Sequence, residues 1–467
     1  MPVSLYGSPM LRSRRTFGVL SLLTCGLTCA LVYAAVYRLP GFASLGPLRN
    51  LVATLLASLP FALAVLLAER RWPGSLGLKV NQRVERIPAP RLDRVDMAVL
   101  VGGALVMRLA LPGSAVVASD DAYRYIWDGK VQAAGQNPYA HAPDSPALAQ
   151  LAQGDPFWPK IYRRDMRTVY PPLAQLWFWL AYLLGGVSVI GLKTIFLLHE
   201  LASVLLLLTL LRRWGLPAGR ALIYAWSPLA VVQGFAGNHL DTLLVPWLFL
   251  ALLLADEHPF FSGAALGASA MIRPVTALGG PALALFRPSR ETVLVGGGFL
   301  LACGALSLPY AAVGLDAMTE SLRTYGQHWQ FNGSLFKVAD ALLNQWAPFR
   351  PALYGTIALC SLASALVRVD RDTRMTLGIG AYFALAPTVY PWYLLSILAL
   401  SAVTGGAFPV ALPALITLAD LVYVDGAAGG RWEVPRPALW LEYVGLYGLI
   451  ALRLISHFRA IRRTHTY

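Results

Sequence analysis

The stretch MAVLVGGALVMRLALPGSAVVASDDAYRYIWDG, Met97 to Gly129, decides the fold. An apolar run gives way to two adjacent carboxylates, Asp120 and Asp121, and then to a polar segment that reads as a helix. In helical spacing Asp121, Tyr125 and Asp128 share one side, and Arg124 lies one turn from both Asp120 and Asp128. Taken alone, Ser119 as an N-cap ahead of two first-turn acids is ordinary helix capping. The residues around the pair argue for more.

Outward from this stretch the chain of 467 residues is 57% hydrophobic and 13% charged, with a mean hydropathy of +0.57. Soluble domains carry about 25% charged residues and seldom repeat apolar runs of 18 residues. About a dozen such runs occur here, which predicts an all-α polytopic membrane protein of about 12–14 helices, a single integral-membrane domain over residues 1–467. The net charge of +14 does not call for nucleic acid, because the basic residues sit in short loops between apolar runs, the positive-inside pattern. Cys25, Cys29, Cys303 and Cys360 all lie inside apolar runs and read as buried small hydrophobes without metal or disulfide spacing. Arg12, Arg14 and Arg15 precede an apolar run from Phe17 to about Val36, longer than a signal-peptide core, so it reads as an uncleaved first span.

The arginines set the predicted sides. The stretch 69–96 holds seven Arg and Lys residues and reads as cytoplasmic. Spans at 17–37, 51–68 and 97–112 then place a first long loop, 113–170, outside, with the aspartate pair at its start. The basic loops RRWGLPAGR (212–220), RPSR (287–290), RVDRDTR (368–374) and the tail FRAIRRTHTY read as inside. To keep Arg212 and Arg213 inside, PPLAQLWFWLAYLLGG is expected to dip into the outer interface while 192–211 crosses. The segment 260–286 is broken at MIRPVT, with Arg273 at an outer apex. A second outer loop runs over 313–350, and the turns GNHLD (237–241) and TVYPWY (388–393) join it outside. No internal repeat is visible.

Several residue groups on the predicted outer side carry possible chemistry. The first loop ends in Lys160, Arg163, Arg164 and Arg167, a cation cluster that the positive-inside rule disfavours outside and that an anion such as a lipid phosphate would offset. The alternative is contact with lipid headgroups, or ion pairs with Asp155 and Asp165. Charges inside spans are costly and are usually paired or line a cavity. For His199 and Glu200 a mutual structural pair is the expectation, whereas Arg273 is expected level with the aspartates. Asn238, His239 and Asp241 in GNHLD are expected to line a site, together with Trp329 and Asn332 of HWQFNGSLF and Trp392 and Tyr393 of VYPWY. An aromatic belt accounts for most of those rings, and sugar stacking for some.

Together DDAYRYIWDG with NPY, TVYPPLAQ, YAWSPL with GNHLD, the basic residue of SAMIRPV, and PWY resemble the GT-C class of membrane glycosyltransferases over about residues 97–400. The resemblance is to bacterial polyprenol-phosphomannose-dependent mannosyltransferases and to the GPI first mannosyltransferase. It implies an inverting hexosyltransferase of the cell (inner) membrane that works on the extracytoplasmic side. The donor is a polyprenyl-phosphate sugar, with mannose expected, and the acceptor a glycolipid, polysaccharide or protein. By position the catalytic base is Asp121, with Asp120 beside it; Arg163, Arg164, Arg167 and Arg273 hold the donor phosphate, and Tyr125 joins the lining. The pair is adjacent here where the GPI enzyme has Asp-X-Asp, so either carboxylate is a candidate. No cofactor is implied, and a divalent metal stays open. The chemistry suits the pattern, since a lipid phosphate leaves without a general acid, unlike the two-carboxylate glycosidases. The rival reading is a lipid-linked-sugar flippase or small-molecule transporter. Transporters often show internal repeats and paired broken helices, of which this chain has no repeat and one Pro-broken segment.

Overall fold

The computed structural model describes residues 9–76, 93–111, 119–285, 287–346, 348–427 and 432–464. Much of the predicted inner loop at 69–96, the first residues of the 113–170 loop and the end of the basic tail lie outside the described residues. The chain opens with α1 (Pro9–Arg38), α2 (Arg49–Arg71) and α3 (Arg94–Leu109), with α1 packed on both others. Among the described residues six stretches are long and apolar enough to cross about 30 Å of hydrocarbon: Gly18–Arg38, Pro40–Arg71, Ile190–Arg213, Ser289–His328, Phe349–Leu366 and Arg436–Ser456. Asp241–Leu254, Pro391–Thr404 and Phe408–Val424 are shorter apolar stretches. Exposed Leu300, Leu301 and Val293, at 69%, 61% and 72%, belong to the kind of outward surface that lipid covers.

The predicted outer loop is folded. It begins with α4 (Asp121–Ala133), which packs on α5 (Pro172–Gly185). Gly129 makes that approach possible, because a Cβ there would stand 2.3 Å from the Phe178 carbonyl oxygen. With 14 residues α5 spans about 21 Å, short of the hydrocarbon core. Gly186, at φ 57°, ends it before α6 (Ile190–Arg213), whose 24 residues are long enough to cross.

Two further segments are interrupted as the prolines require. The helix at Ala221–Ala225 stops ahead of Pro228 and resumes as a π-helix over Leu229–Ala236, leading through the GNHLD turn into α7 (Asp241–Leu254). Next, α8 (Pro259–Ala270) ends before Pro274, so Arg273 stands on extended backbone between helical pieces. The α8 helix lies hard against α9 (Ser289–Ser307), where a Cβ on Gly263 or Gly298 would come within 1.9 Å of a carbonyl oxygen of the facing helix.

The predicted second outer loop, 313–350, also proves to be largely helical. It forms α10 (Gly314–His328) and α11 (Leu335–Leu343), then leads into α12 (Phe349–Leu366) and α13 (Arg371–Leu385). Phe331 and Asn332 bridge to Thr388, which fixes this return to the PWY segment. The chain ends through α14 (Leu395–Thr404), α15 (Phe408–Ile416), α16 (Val422–Ala427) and α17 (Arg436–Thr464).

One expectation inside the bundle needs correction. Glu200 does not pair with His199. It accepts from Arg108 Nη2 at 2.6 Å and from the Tyr224 hydroxyl at 3.1 Å, with Arg108 and Glu200 side chains only 1% exposed. His199 instead bonds the Ile195 carbonyl through Nδ1 at 2.8 Å and sets its ring edgewise to Trp177. Residues i and i+1 point to different faces of a helix, which is why neighbours in sequence found separate partners.

Candidate active site

A cavity of about 1180 Å³ lies where α4, the end of the first outer loop, the Arg273 turn, α10, the start of α12 and the PWY segment meet. Asp120, Asp121, Arg163, Arg167, Arg273, Trp329, Trp392 and Tyr393 all line it.

The start of α4 shows how the acid pair is freed for chemistry. Ser119 Oγ accepts from the Asp121 amide at 3.2 Å, while Asp120 makes no side-chain capping bond. Ordinary capping therefore falls to the serine, and both carboxylates remain available. Asp120 is exposed and Asp121 half-buried. Tyr170 Oη donates to Asp121 Oδ1 at 3.2 Å, with Tyr125 Oη at a longer 3.5 Å from Oδ2. Burial pushes the Asp121 carboxyl above the usual carboxylate range; the Arg273 charge and the Tyr170 bond pull it back, while Asp241 and Asp120 add to the rise. A carboxylate held this way is a better proton acceptor than a free aspartate.

Arg273 is the cation that answers it. Its guanidinium forks onto Asp241, Nε to Oδ1 at 2.9 Å and Nη2 to Oδ2 at 2.5 Å, and lies 4.0 Å from the Tyr393 ring centroid. The fork fixes the plane of the guanidinium while a fifth of the side chain stays open to the cavity. Tyr393 is held in turn by the Tyr325 hydroxyl at 2.7 Å.

The other predicted cations divide. Arg163 is paired with Asp165 and lies 5.2 Å from the Trp329 ring, and Arg167 pairs with Glu320 at 2.9 Å. Both pairs are exposed, so they contribute little to stability and can be exchanged for another anion. Arg164 stands apart: it stacks on Trp158 at 4.3 Å and does not line the cavity. The sequence reading passed over Arg350, which does. Its Nη1 donates to the Gly326 carbonyl at 3.1 Å, and among the described residues it has no carboxylate partner. Arginines in a predicted outer loop, Arg323 and Arg350 in 313–350, were the signal that could have found it.

Five predicted lining residues form the layer behind the wall. Tyr125 is buried against Phe178, with stacked rings 4.3 Å apart. Asp241 supports Arg273, and Asn332 donates to Glu442 at 2.8 Å. Asn238 and His239 are buried in the turn, the histidine ring stacked 3.6 Å from Trp392. Tyr390 covers the same tryptophan at 4.6 Å in a parallel stack, so Trp392 has no face left for a sugar. Tyr170, Arg323, Tyr423 and Trp432 also line the cavity without having been singled out in the sequence. Among the described residues no three His, Cys, Asp or Glu side chains gather as a metal site would require.

A multi-pass helical membrane protein that sets a carboxylate opposite arginines in an aromatic-walled cavity has the parts of a group-transfer enzyme. Residues 19–288 match the family model described as alpha-(1->6)-mannopyranosyltransferase, N-terminal domain, and the chain belongs to that family of glycosyltransferases. This agrees with the resemblance carried by the motifs. No curated protein matches the chain. Among solved structures, ArnT from Cupriavidus metallidurans in the apo state aligns at 17% identity with a TM-score of 0.45, over 77% of this chain and 72% of that chain.

Proposed function

We propose that the protein is an inverting glycosyltransferase of the cell membrane. It moves mannose from a polyprenyl-phosphate carrier to a hydroxyl of a glycan or glycolipid acceptor on the extracytoplasmic side. The observation that carries this is Asp121, half-buried and polarised by Arg273, at the wall of a cavity that also holds the uncompensated Arg350. In the step, Asp121 takes the acceptor proton as the hydroxyl oxygen bonds to the sugar C1. The C1–O bond to phosphate breaks, and the phosphate leaves as an anion. No acid is needed for that leaving group; it needs cations, which Arg273 and Arg350 supply, with Arg163 and Arg167 at the mouth. Inversion of a β-linked donor gives an α-glycoside, in keeping with the linkage in the family's description. That description also supports mannose as the sugar and a 6-hydroxyl as the acceptor oxygen. Walls drawn from both sides of residue 288 favour one functional unit over the whole chain.

Transfer in detergent tests the reading. The solubilised protein, given a short-chain polyprenyl phosphomannose and a mannoside acceptor, should form an α-linked product without any second compartment. A flippase or transporter would give none.

A further inference from the structure

The cavity wall carries carboxylates and arginines among its aromatic residues. The Trp432 ring meets Tyr423 edgewise, 5.3 Å apart at 83°. Tyr423 and Trp432 line the same cavity as Asp120 and Asp121. Arg273 is close enough to bias Asp121, and stacks on Tyr393. Tyr382 and Tyr354 line the wall with it. Tyr354 Oη and Arg350 Nη1 share the Gly326 carbonyl, at 2.8 and 3.1 Å. Trp432 and Arg350 both line this cavity and share no contact partner among the described residues.

In an inverting displacement the nucleophile attacks opposite the leaving group. If the phosphate departs toward the arginines, the acceptor hydroxyl must come to Asp121 from the side away from them, and the Trp432–Tyr423 end of the lining holds no arginine. That end offers what a sugar needs. Trp432 is 55% exposed and meets its one ring partner edgewise. The other two cavity tryptophans are occupied: Trp392 lies between His239 and Tyr390, and Trp329 carries Arg163 and Tyr325, each 5.2 Å away. Asp120, exposed and making no side-chain capping bond, lines the same cavity and can accept from sugar hydroxyls there.

We propose that Trp432, Tyr423 and Asp120 form the acceptor-sugar subsite, where a hexose of the acceptor glycan lies on the Trp432 indole and its ring hydroxyls donate to Asp120. The proposal rests on the base-and-phosphate reading above. Both aromatic residues fall beyond the stretch matched by the family model, so acceptor choice would be set by the C-terminal part of the chain.

The test is initial-rate transfer from short-chain polyprenyl phosphomannose to octyl α-mannopyranoside by the full-length enzyme. Trp432→Ala should raise the acceptor KM about tenfold while the donor KM stays within about twofold. Trp432→Phe, which keeps a flat ring, should recover most of the loss. Should the alanine variant not fold, Trp432→Leu, which keeps bulk without a π face, is read in its place. An unchanged acceptor KM, an equal rise in both constants, or no recovery with phenylalanine overturns the subsite. Full activity of Asp121→Asn would instead overturn the parent reading, whatever Trp432 does.

Discussion

Arg108 and Arg273 both sit in apolar segments, each bonded to a buried carboxylate with a tyrosine close by, yet their surroundings differ. Arg108 is sealed against Glu200, its Nη1 spent on the carbonyls of Ala104 and Ala225, and the pair ties α3 to α6. Arg273 is anchored by Asp241 in the same way but keeps an open side on a large cavity beside Asp121. A charge inside a span is expensive in both places, and both are paired as that cost demands. What separates a structural charge from a working one is where the remaining coordination faces: the Nε of Arg108, unpartnered among the described residues, is buried, whereas Arg273 has an edge open to the cavity.

The largest effects should break along that line. Asp121→Asn removes the proton acceptor and keeps the shape, so turnover should fall by about 10²–10⁴ with melting temperature unchanged. Glu200→Gln should do the reverse. Arg108 would be left as an uncompensated buried charge, at a cost of about 3 kcal/mol, seen as lower yield and melting temperature with near-normal turnover per folded molecule. Detergent-based transfer assays and thermal melts of the two variants decide it. A catalytic loss in Glu200→Gln without destabilisation would place the sealed pair in the mechanism.

A smaller effect tests whether cations outside the matched family region act on the donor. Arg350→Gln removes a positive charge that no carboxylate among the described residues neutralises, so it should raise the KM for the lipid donor about tenfold, as loss of one charge-assisted contact does, and leave the acceptor KM alone. Arg164→Gln, on the far side of Trp158, should leave both constants alone. Equal behaviour of the two variants would mean that the arginines serve only as lipid anchors.

The sequence made the architecture readable because apolar runs and arginine loops obey the cost of burying charge in hydrocarbon. For the same reason it located the acid pair, Arg273 and the PWY segment, which all lie on the cavity. It failed where partners are chosen by three-dimensional contact. Glu200 reaches 92 residues back to Arg108, and no periodicity within α6 announces that. Trp392 was legible as an aromatic at an interface, but not as a ring covered on both faces. Trp432 was missed because it stands alone beyond the motifs, where only folding brings it against Tyr423 and onto the cavity that the aspartates line.

The smallest expected effect concerns pH and separates the two aspartates. Asp121 acts as a carboxylate, so kcat/KM should be present above its pKa and lost as pH falls through it. Burial raises that pKa, which puts the acid limb above the ordinary carboxylate range. The neighbouring Asp120 charge contributes to the rise, because one anion beside another is harder to form. Asp120→Asn should therefore move the acid limb to lower pH while activity persists. Arg273→Gln removes a charge that favours the Asp121 anion and should move the limb to higher pH. Opposite displacements in a pH–rate series would assign the base to Asp121. If Asp120→Asn instead abolished the limb altogether, Asp120 would be the base and Asp121 its neighbour.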